Sequence, residues 1–142
     1  MFLPDINVLV YAHRRDTDAH QRFGEWLERA RRGSTAVGLC THVTTGFVRV
    51  VTNPRVFPAD PTPAAAAVAF VDALRASPGV IFVEPGPAHW QLFTRLVQET
   101  GATANRVPDA SLAALAIEKA ATLVSADRGF GAFRDLAWTD RP

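Results

Sequence analysis

Val107-Pro-Asp-Ala-Ser-Leu-Ala-Ala-Leu-Ala-Ile-Glu118 runs into Thr122-Leu-Val-Ser-Ala-Asp-Arg-Gly-Phe130, and this stretch decides the class of fold. Asp109 to Ala120 reads as a helix. Thr122 to Ser125 reads as a short apolar strand, closed by Asp127-Arg-Gly at a turn. A helix that feeds a short buried strand is half of a βαβ unit. Asp109 stands where the helix begins and Asp127 where the strand gives way to the turn.

The same alternation extends outward. Ala36 to Cys40 and Val80 to Val83 are short strand candidates, the second expected to be buried, and Ala137-Trp138 is a candidate last edge strand. Ala19, Phe23, Trp26, Leu27 and Ala30 share one helical face, with Asp18 as N-cap and Gly33 as the stop. Thr62-Pro63 reads as N-cap and first residue of a helix carrying Ala64, Ala67, Val68, Val71 and Leu74. Pro87 opens a helix with Trp90, Phe93, Leu96 and Val97, and Gly101 supplies its left-handed end. Val43 to Val51 fits either element, because it is β-branched while Phe47, Val50 and Val51 share a helical face. Asn7 to Ala12, in the apolar run that begins at Phe2, reads as strand by propensity. Phe130 to Phe133 is a turn or short helix. Strands separated by helices over 142 residues predict one domain, 1–142, with a mostly parallel central sheet covered on both faces.

The bulk composition narrows the function classes. No apolar run approaches the length of a membrane span. No basic, apolar and small-residue segments mark a signal peptide at the N-terminus, and Cys40 is the only cysteine, so a cytoplasmic protein is expected. The net charge is +1, which by itself does not point to nucleic acid; Lys119 is the only lysine among 15 basic residues, the rest being arginine. Arginine's planar fork suits phosphate recognition, although an Ala- and Arg-rich chain also follows from base composition alone.

The candidate chemistry lies in three aspartates at element junctions: Asp5, Asp109 and Asp127. In an α/β protein such junctions lie along one sheet edge, so distant carboxylates can share a pocket. Carboxylates gathered there repel one another unless a cation neutralises them, and hard oxygen ligands select Mg²⁺ or Mn²⁺. Taken singly, Asp109 reads equally as a helix N-cap and Asp127 as the cap of the segment at Gly129. Asp5 is different: a carboxylate inside the apolar run Phe2 to Tyr11 is expected to be buried, which is costly without a partner. Other chemistries lack their motifs. His13, His20, His42 and His89 make no zinc spacing, and there is no nucleophile elbow, P-loop or dinucleotide fingerprint. Cys40, Trp26 and Trp90 read as core.

Four ordered pieces resemble the PIN-domain ribonucleases, and more narrowly the VapC-like toxins of bacterial toxin–antitoxin pairs. They are Leu3-Pro-Asp5-Ile-Asn7-Val-Leu with Tyr11-Ala12 and His20; Gly46-Phe-Val-Arg-Val-Val-Thr-Asn-Pro-Arg-Val-Phe57; Pro108 to Glu118; and Ala121 to Phe130. Together they span essentially the whole chain. The resemblance implies a PIN-like three-layer sandwich, with helix rather than strand directly after Asp5. It implies that Asp5, Asp109 and Asp127 bind Mg²⁺, with Mn²⁺ able to substitute, and carry the catalysis. Asn7 and Ser125 match positions of small polar residues that support the carboxylates. The family's fourth acidic position falls at Gly46, or Thr45, where no carboxylate stands, which puts tight binding of a second metal in doubt.

The implied reaction is Mg²⁺-dependent hydrolysis of RNA phosphodiesters by the toxin of a toxin–antitoxin pair, with a small antitoxin protein and a second copy of the chain as partners. Backbone contacts to RNA fall to Arg14, Arg15, Arg49, Arg55, Arg106 or Arg128, with Arg128 beside Asp127 the leading choice and Arg49 and Arg14 next. Two other classes stay open: a PIN-like module that binds RNA or protein without cleaving, and a small metal-dependent phosphatase.

Overall fold

The computed structural model describes residues 1–142. Five short strands form one sheet: β1 (Phe2–Pro4), β2 (Val37–Leu39), β3 (Val80–Phe82), β4 (Thr122–Val124) and β5 (Trp138–Thr139). Six helices connect them: α1 (Ile6–His13), α2 (His20–Ala30), α3 (Thr41–Val51), α4 (Ala64–Arg75), α5 (His89–Thr100) and α6 (Arg106–Glu118), with a 3₁₀ turn over Arg128–Ala132. The strand order is β3-β2-β1-β4-β5 and every pairing is parallel. Helices α1 to α4 pack among themselves, and α5 packs on α6. Crossovers of one hand place these two sets on opposite faces, because the strand order grows first one way from β1 and then the other. The result is the expected three-layer sandwich. Its central strands contribute Leu3, Leu39, Leu123 and Val124 to the core, all at most 1% exposed.

The apolar run Phe2 to Tyr11 is not one strand. It breaks at Asp5, whose carboxylate accepts the Ile6 N–H at 2.6 Å and caps α1. The helix follows although Val8 and Val10 favour strand, because Val8, Leu9 and Val10 are all buried by it. The ambiguous Val43–Val51 segment is likewise helical, burying Val43, Phe47 and Val51; packing overrides propensity in both.

Several local expectations change. Asp18 does not cap α2; Ala19 holds that position with no side-chain cap. Pro63, not Thr62, is the cap residue of α4, while the Thr62 hydroxyl is buried against His13 and Arg14. Gly101 does end α5 with φ +64°. β3 is a sheet edge rather than a buried strand, so Ile81 and Phe82 are 46% and 43% exposed. Phe82 is covered in part by the Arg75 guanidinium, 4.7 Å above its ring. Trp26 is core, but Trp90 is 70% exposed.

Leu123 tests the packing. It is fully buried in β4 between β1 and β5. Leu123→Ala is expected to cost about 2–5 kcal/mol, measured by urea unfolding; a cost below about 1 kcal/mol would mean that this layer is not close-packed.

Candidate active site

The sheet changes its direction of growth between β1 and β4, so the connections leaving those two neighbours diverge and open a crevice at their carboxyl ends. Asp5 follows β1, and Ser125 and Asp127 follow β4. Helix α6 leads into β4, so its C-terminus lies at the amino edge of the sheet and its first turn, with Asp109, lies at the carboxyl edge. Three residues far apart in sequence are thus delivered to one edge by topology alone.

Asp5 is the fixed point. It is 8% exposed, and both its oxygens are engaged. Oδ1 accepts the Ile6 N–H at 2.6 Å. Oδ2 accepts from Asn7 Nδ2 at 2.6 Å and from the Ser125 hydroxyl at 2.7 Å. The Ser125 oxygen in turn accepts from Asn7 Nδ2 and from the Asp127 N–H, both at 3.0 Å. Asn7 Oδ1 accepts the Ala126 N–H at 3.2 Å. Asn7 and Ser125 therefore lock the Asp5 carboxylate and stitch the end of β1 to the end of β4. No basic side chain pairs with Asp5. Burial raises its carboxyl from 3.8 to about 6, against the opposing hydrogen bonds from Ser125 and Ile6, and the charges of Asp109 and Asp127 add to the rise.

Asp109 and Asp127 are organised differently. Helix α6 starts at Arg106, earlier than expected, with Asn105 at its cap position. Pro108 is tolerated because the first turn of a helix needs no N–H. Asp109 is therefore not a cap; it lies within the first turn and accepts from Arg106 Nη1 at 2.9 Å. Burial raises the Asp109 carboxyl, an effect that Arg106 opposes. Asp127 does cap the 3₁₀ turn, accepting the Gly129 N–H at 2.7 Å through Oδ1. Its other oxygen lies 3.6 Å from Arg106 Nη1. Arg106, which meets both Asp109 and Asp127, is left undistinguished among six arginines by the sequence. Its spacing of three from Asp109 is the available signal, since such pairs meet on a helix, but the sequence places the start of the helix only at Asp109.

Carboxylate, hydroxyl and amide oxygens suit a hard divalent cation, and a buried carboxylate without a counter-charge favours one. As the side chains stand, no three carboxylates or imidazoles form a finished metal cage. At Gly46 a Cβ would lie 2.3 Å from Ile6 Cδ1 and 2.9 Å from its Cγ1, so a side chain there requires Ile6 to shift.

The other arginines divide sharply. Arg128 is 80% exposed and lies 3.6 Å from Asp140, free to meet a ligand beside Asp127. Arg49 is exposed on α3, the helix of His42, whose imidazole is pushed down by burial and by Arg49 and pulled up by Asp109. Arg14 is a structural residue. It is 8% exposed, chelates Asp16, donates to the Asp60 carbonyl at 2.6 Å and stacks on Phe57. An RNA contact by Arg14 would break all of these, so that expectation is withdrawn.

A family model described as PIN domain matches residues 2–136. Ribonuclease VapC43 of Mycobacterium tuberculosis is 46% identical over 138 residues, covering 97% of this chain and 93% of that protein. Ribonuclease VapC25 of the same species is 39% identical over 136 residues, covering 96% and 95%. Among solved structures, that of Mycobacterium tuberculosis VapC20, a sarcin–ricin loop cleaving toxin, superposes with a TM-score of 0.70 at 18% identity over all of both chains. VapBC2 of Rickettsia felis, bound to a DNA fragment from its promoter, gives 0.69 at 15% identity, covering 97% and 96%. At those identities the structures support the fold alone.

The buried carboxylate has a pH signature. Because folding raises the Asp5 carboxyl from 3.8 to about 6, its contribution to stability is favourable below 3.8 and is lost as the pH rises through about 6. Asn retains the capping oxygen. In EDTA, Asp5→Asn should therefore be more stable than the unaltered chain at about pH 8, by up to about 3 kcal/mol, and not at about pH 4. Urea unfolding at both values checks this; a stability difference that does not change with pH would show that Asp5 is not the titrating group.

Proposed function

This chain belongs to the PIN-domain family of VapC ribonucleases, and we propose that it is a metal-dependent endoribonuclease acting as the toxin of a toxin–antitoxin pair. The observation that carries the reading is Asp5: a buried carboxylate, oriented by three hydrogen bonds, with no basic partner, at the crevice where Asp109 and Asp127 also arrive. Ribonucleases of this family depend on a divalent metal. In our reading the ion is Mg²⁺, for which Mn²⁺ substitutes, and its ligands are Asp5 and Asp109, with Asp127 directly or through water.

When bound, the cation would neutralise developing charge on the phosphodiester and make a water more acidic. The protein's own groups do the positioning. Asn7 and Ser125 hold the Asp5 carboxylate in one orientation and leave it no freedom to turn towards solvent. A site carboxylate accepts the proton of the attacking water; Asp127, with its side chain 49% exposed, is the most accessible of the three. Arg128, beside Asp127 and largely exposed, contacts the RNA backbone, with Arg49 at the margin of the site.

The remaining parts of the reading follow from the family. A small antitoxin protein binds the chain and blocks the acidic crevice, two copies of the chain form a dimer, and the setting is the cytoplasm. No helix is long and apolar enough to cross a membrane.

Cleavage tests the reading. Asp5→Asn is expected to lower Mg²⁺-dependent hydrolysis of structured RNA by about 100-fold or more, and EDTA to abolish it. Wild-type rates in Asp5→Asn would rule out the site. Binding of RNA without any cleavage would instead favour a non-catalytic module, and hydrolysis of a phosphomonoester in preference to RNA would favour a phosphatase.

Metal stoichiometry tests the role of Gly46. Calorimetric titration with Mn²⁺ should give one tight site per chain. A second should appear with Gly46→Glu only when Ile6→Ala clears the space that Ile6 occupies. Two tight sites of equal affinity in the unaltered chain would refute the single-metal reading.

A further inference from the structure

Arg106 is seated more firmly than a surface arginine that happens to meet a carboxylate. Its Nη1 donates to Asp109 Oδ2 at 2.9 Å and lies 3.6 Å from Asp127 Oδ2. Its Nη2 donates to the Gly129 carbonyl at 2.6 Å. The guanidinium carbon stands 5.3 Å from the Phe133 ring centroid, giving the flat group an apolar floor. A methyl group at Gly129 would lie 2.5 Å from Nη1 and 2.9 Å from Asp127 Oδ1, so the bare glycine leaves the room in which the guanidinium is seated. A charged fork with two carboxylates, a carbonyl, an aromatic face and a cleared space is a built site for one cation.

Nη1 faces one oxygen of each carboxylate, so a hard cation shared by Asp109 and Asp127 would compete with it for them. A guanidinium hydrogen and a metal ion cannot occupy the same lone-pair region, and two cations side by side repel. Arg106 also draws both carboxylates towards α6 and the 3₁₀ turn. Asp5 lies outside the clasp, held by its own hydrogen bonds.

We propose that Arg106 is the site's resident counter-cation, a positioning residue that clasps Asp109 and Asp127 until the divalent ion takes them over and then turns its freed fork to the substrate phosphate. The inference rests on the metal-dependent reading above. Nη2 stays on the Gly129 carbonyl through the exchange, so the fork remains at the site, and its planar geometry suits a phosphate. Arg106 would thus weaken binding of the metal while aiding the reaction that the metal serves.

These opposite signs make the test. With RNA-free protein, the calorimetric Kd for Mn²⁺ is expected to fall by about two- to tenfold in Arg106→Gln, the range set by losing a part-exposed ion pair. Cleavage at saturating Mn²⁺ should fall by about tenfold or more, the weight of a charge-assisted contact made to phosphate. Arg106→Lys keeps the charge without the fork, and should bind Mn²⁺ closer to the unaltered chain than Arg106→Gln while still cleaving slowly. Gly129→Ala removes no charge but crowds both the Arg106 guanidinium at Nη1 and the Asp127 carboxylate at Oδ1, 2.5 and 2.9 Å from the added methyl, and should also tighten Mn²⁺ binding. A residue needed only for folding would weaken binding and cleavage together. Unchanged or weaker Mn²⁺ binding in Gly129→Ala and in a folded Arg106→Gln overturns the proposal, as does full cleavage by Arg106→Gln. If Arg106→Gln does not fold, Gly129→Ala decides. Absence of Mn²⁺ binding by the unaltered chain overturns the metal-dependent reading as well, whereas normal binding with the wrong response to these variants overturns only the role of Arg106.

Discussion

The hydrogen bond from Ser125 to Asp5, 2.7 Å long, is the contact on which the site depends. It joins the residue after β1 to the residue after β4, the two strands between which the sheet changes its direction of growth. A carboxylate enclosed there loses most of its hydration, a loss of several kcal/mol unless it is recovered by bonds or by charge. Ile6, Asn7 and Ser125 recover the bonds and nothing recovers the charge. Ser125 also accepts the Asp127 N–H, so the network that fixes Asp5 fixes the backbone of another site aspartate as well.

The three carboxylates are consequently unequal. Asp5 is enclosed and without a basic partner, Asp109 has a side chain 24% exposed, and that of Asp127 is 49% exposed. Arg106 neutralises the outer pair and leaves the inner one. The local negative field is therefore strongest where solvent is least available to screen it, and there a divalent ion gains most from a carboxylate. Gly129 belongs to this arrangement as much as the charged groups do, because any side chain at that position would intrude on the guanidinium.

Element order, the parallel sheet and the delivery of three aspartates to one edge were legible because they follow from alternation of apolar runs and from where charges interrupt them. What the sequence concealed has common physical causes. The strand-like Val8-Leu-Val10 run is helical because Asp5 caps it and the core takes all three side chains. β3 looked buried because its composition is apolar, but whether a strand is central or at an edge is decided by strand order, which local sequence does not carry. Arg106 was hidden because the helix reads as beginning at Asp109, after Pro108, although a proline is equally at home within the first turn. Arg14 looked available because charge suggests the surface, while its fork is consumed by Asp16 and the Asp60 carbonyl.

Gly46 shows how a departure from a family pattern becomes part of a fold. The missing carboxylate is not a vacancy beside an otherwise unaltered site. Ile6, the first residue of the helix that Asp5 caps, fills the space with its own side chain, so that even a Cβ at position 46 would lie within 2.3 Å of Ile6 Cδ1. Residues 6 and 46 are thus coupled by packing. Restoring one without altering the other asks a well-filled region to take extra volume, which such regions resist. Asp5 is adjacent to Ile6 in the chain and accepts its N–H, so a shift of Ile6 is transmitted to the carboxylate at the centre of the site. The apolar contact between α1 and α3 and the charge count of the crevice are therefore a single structural choice.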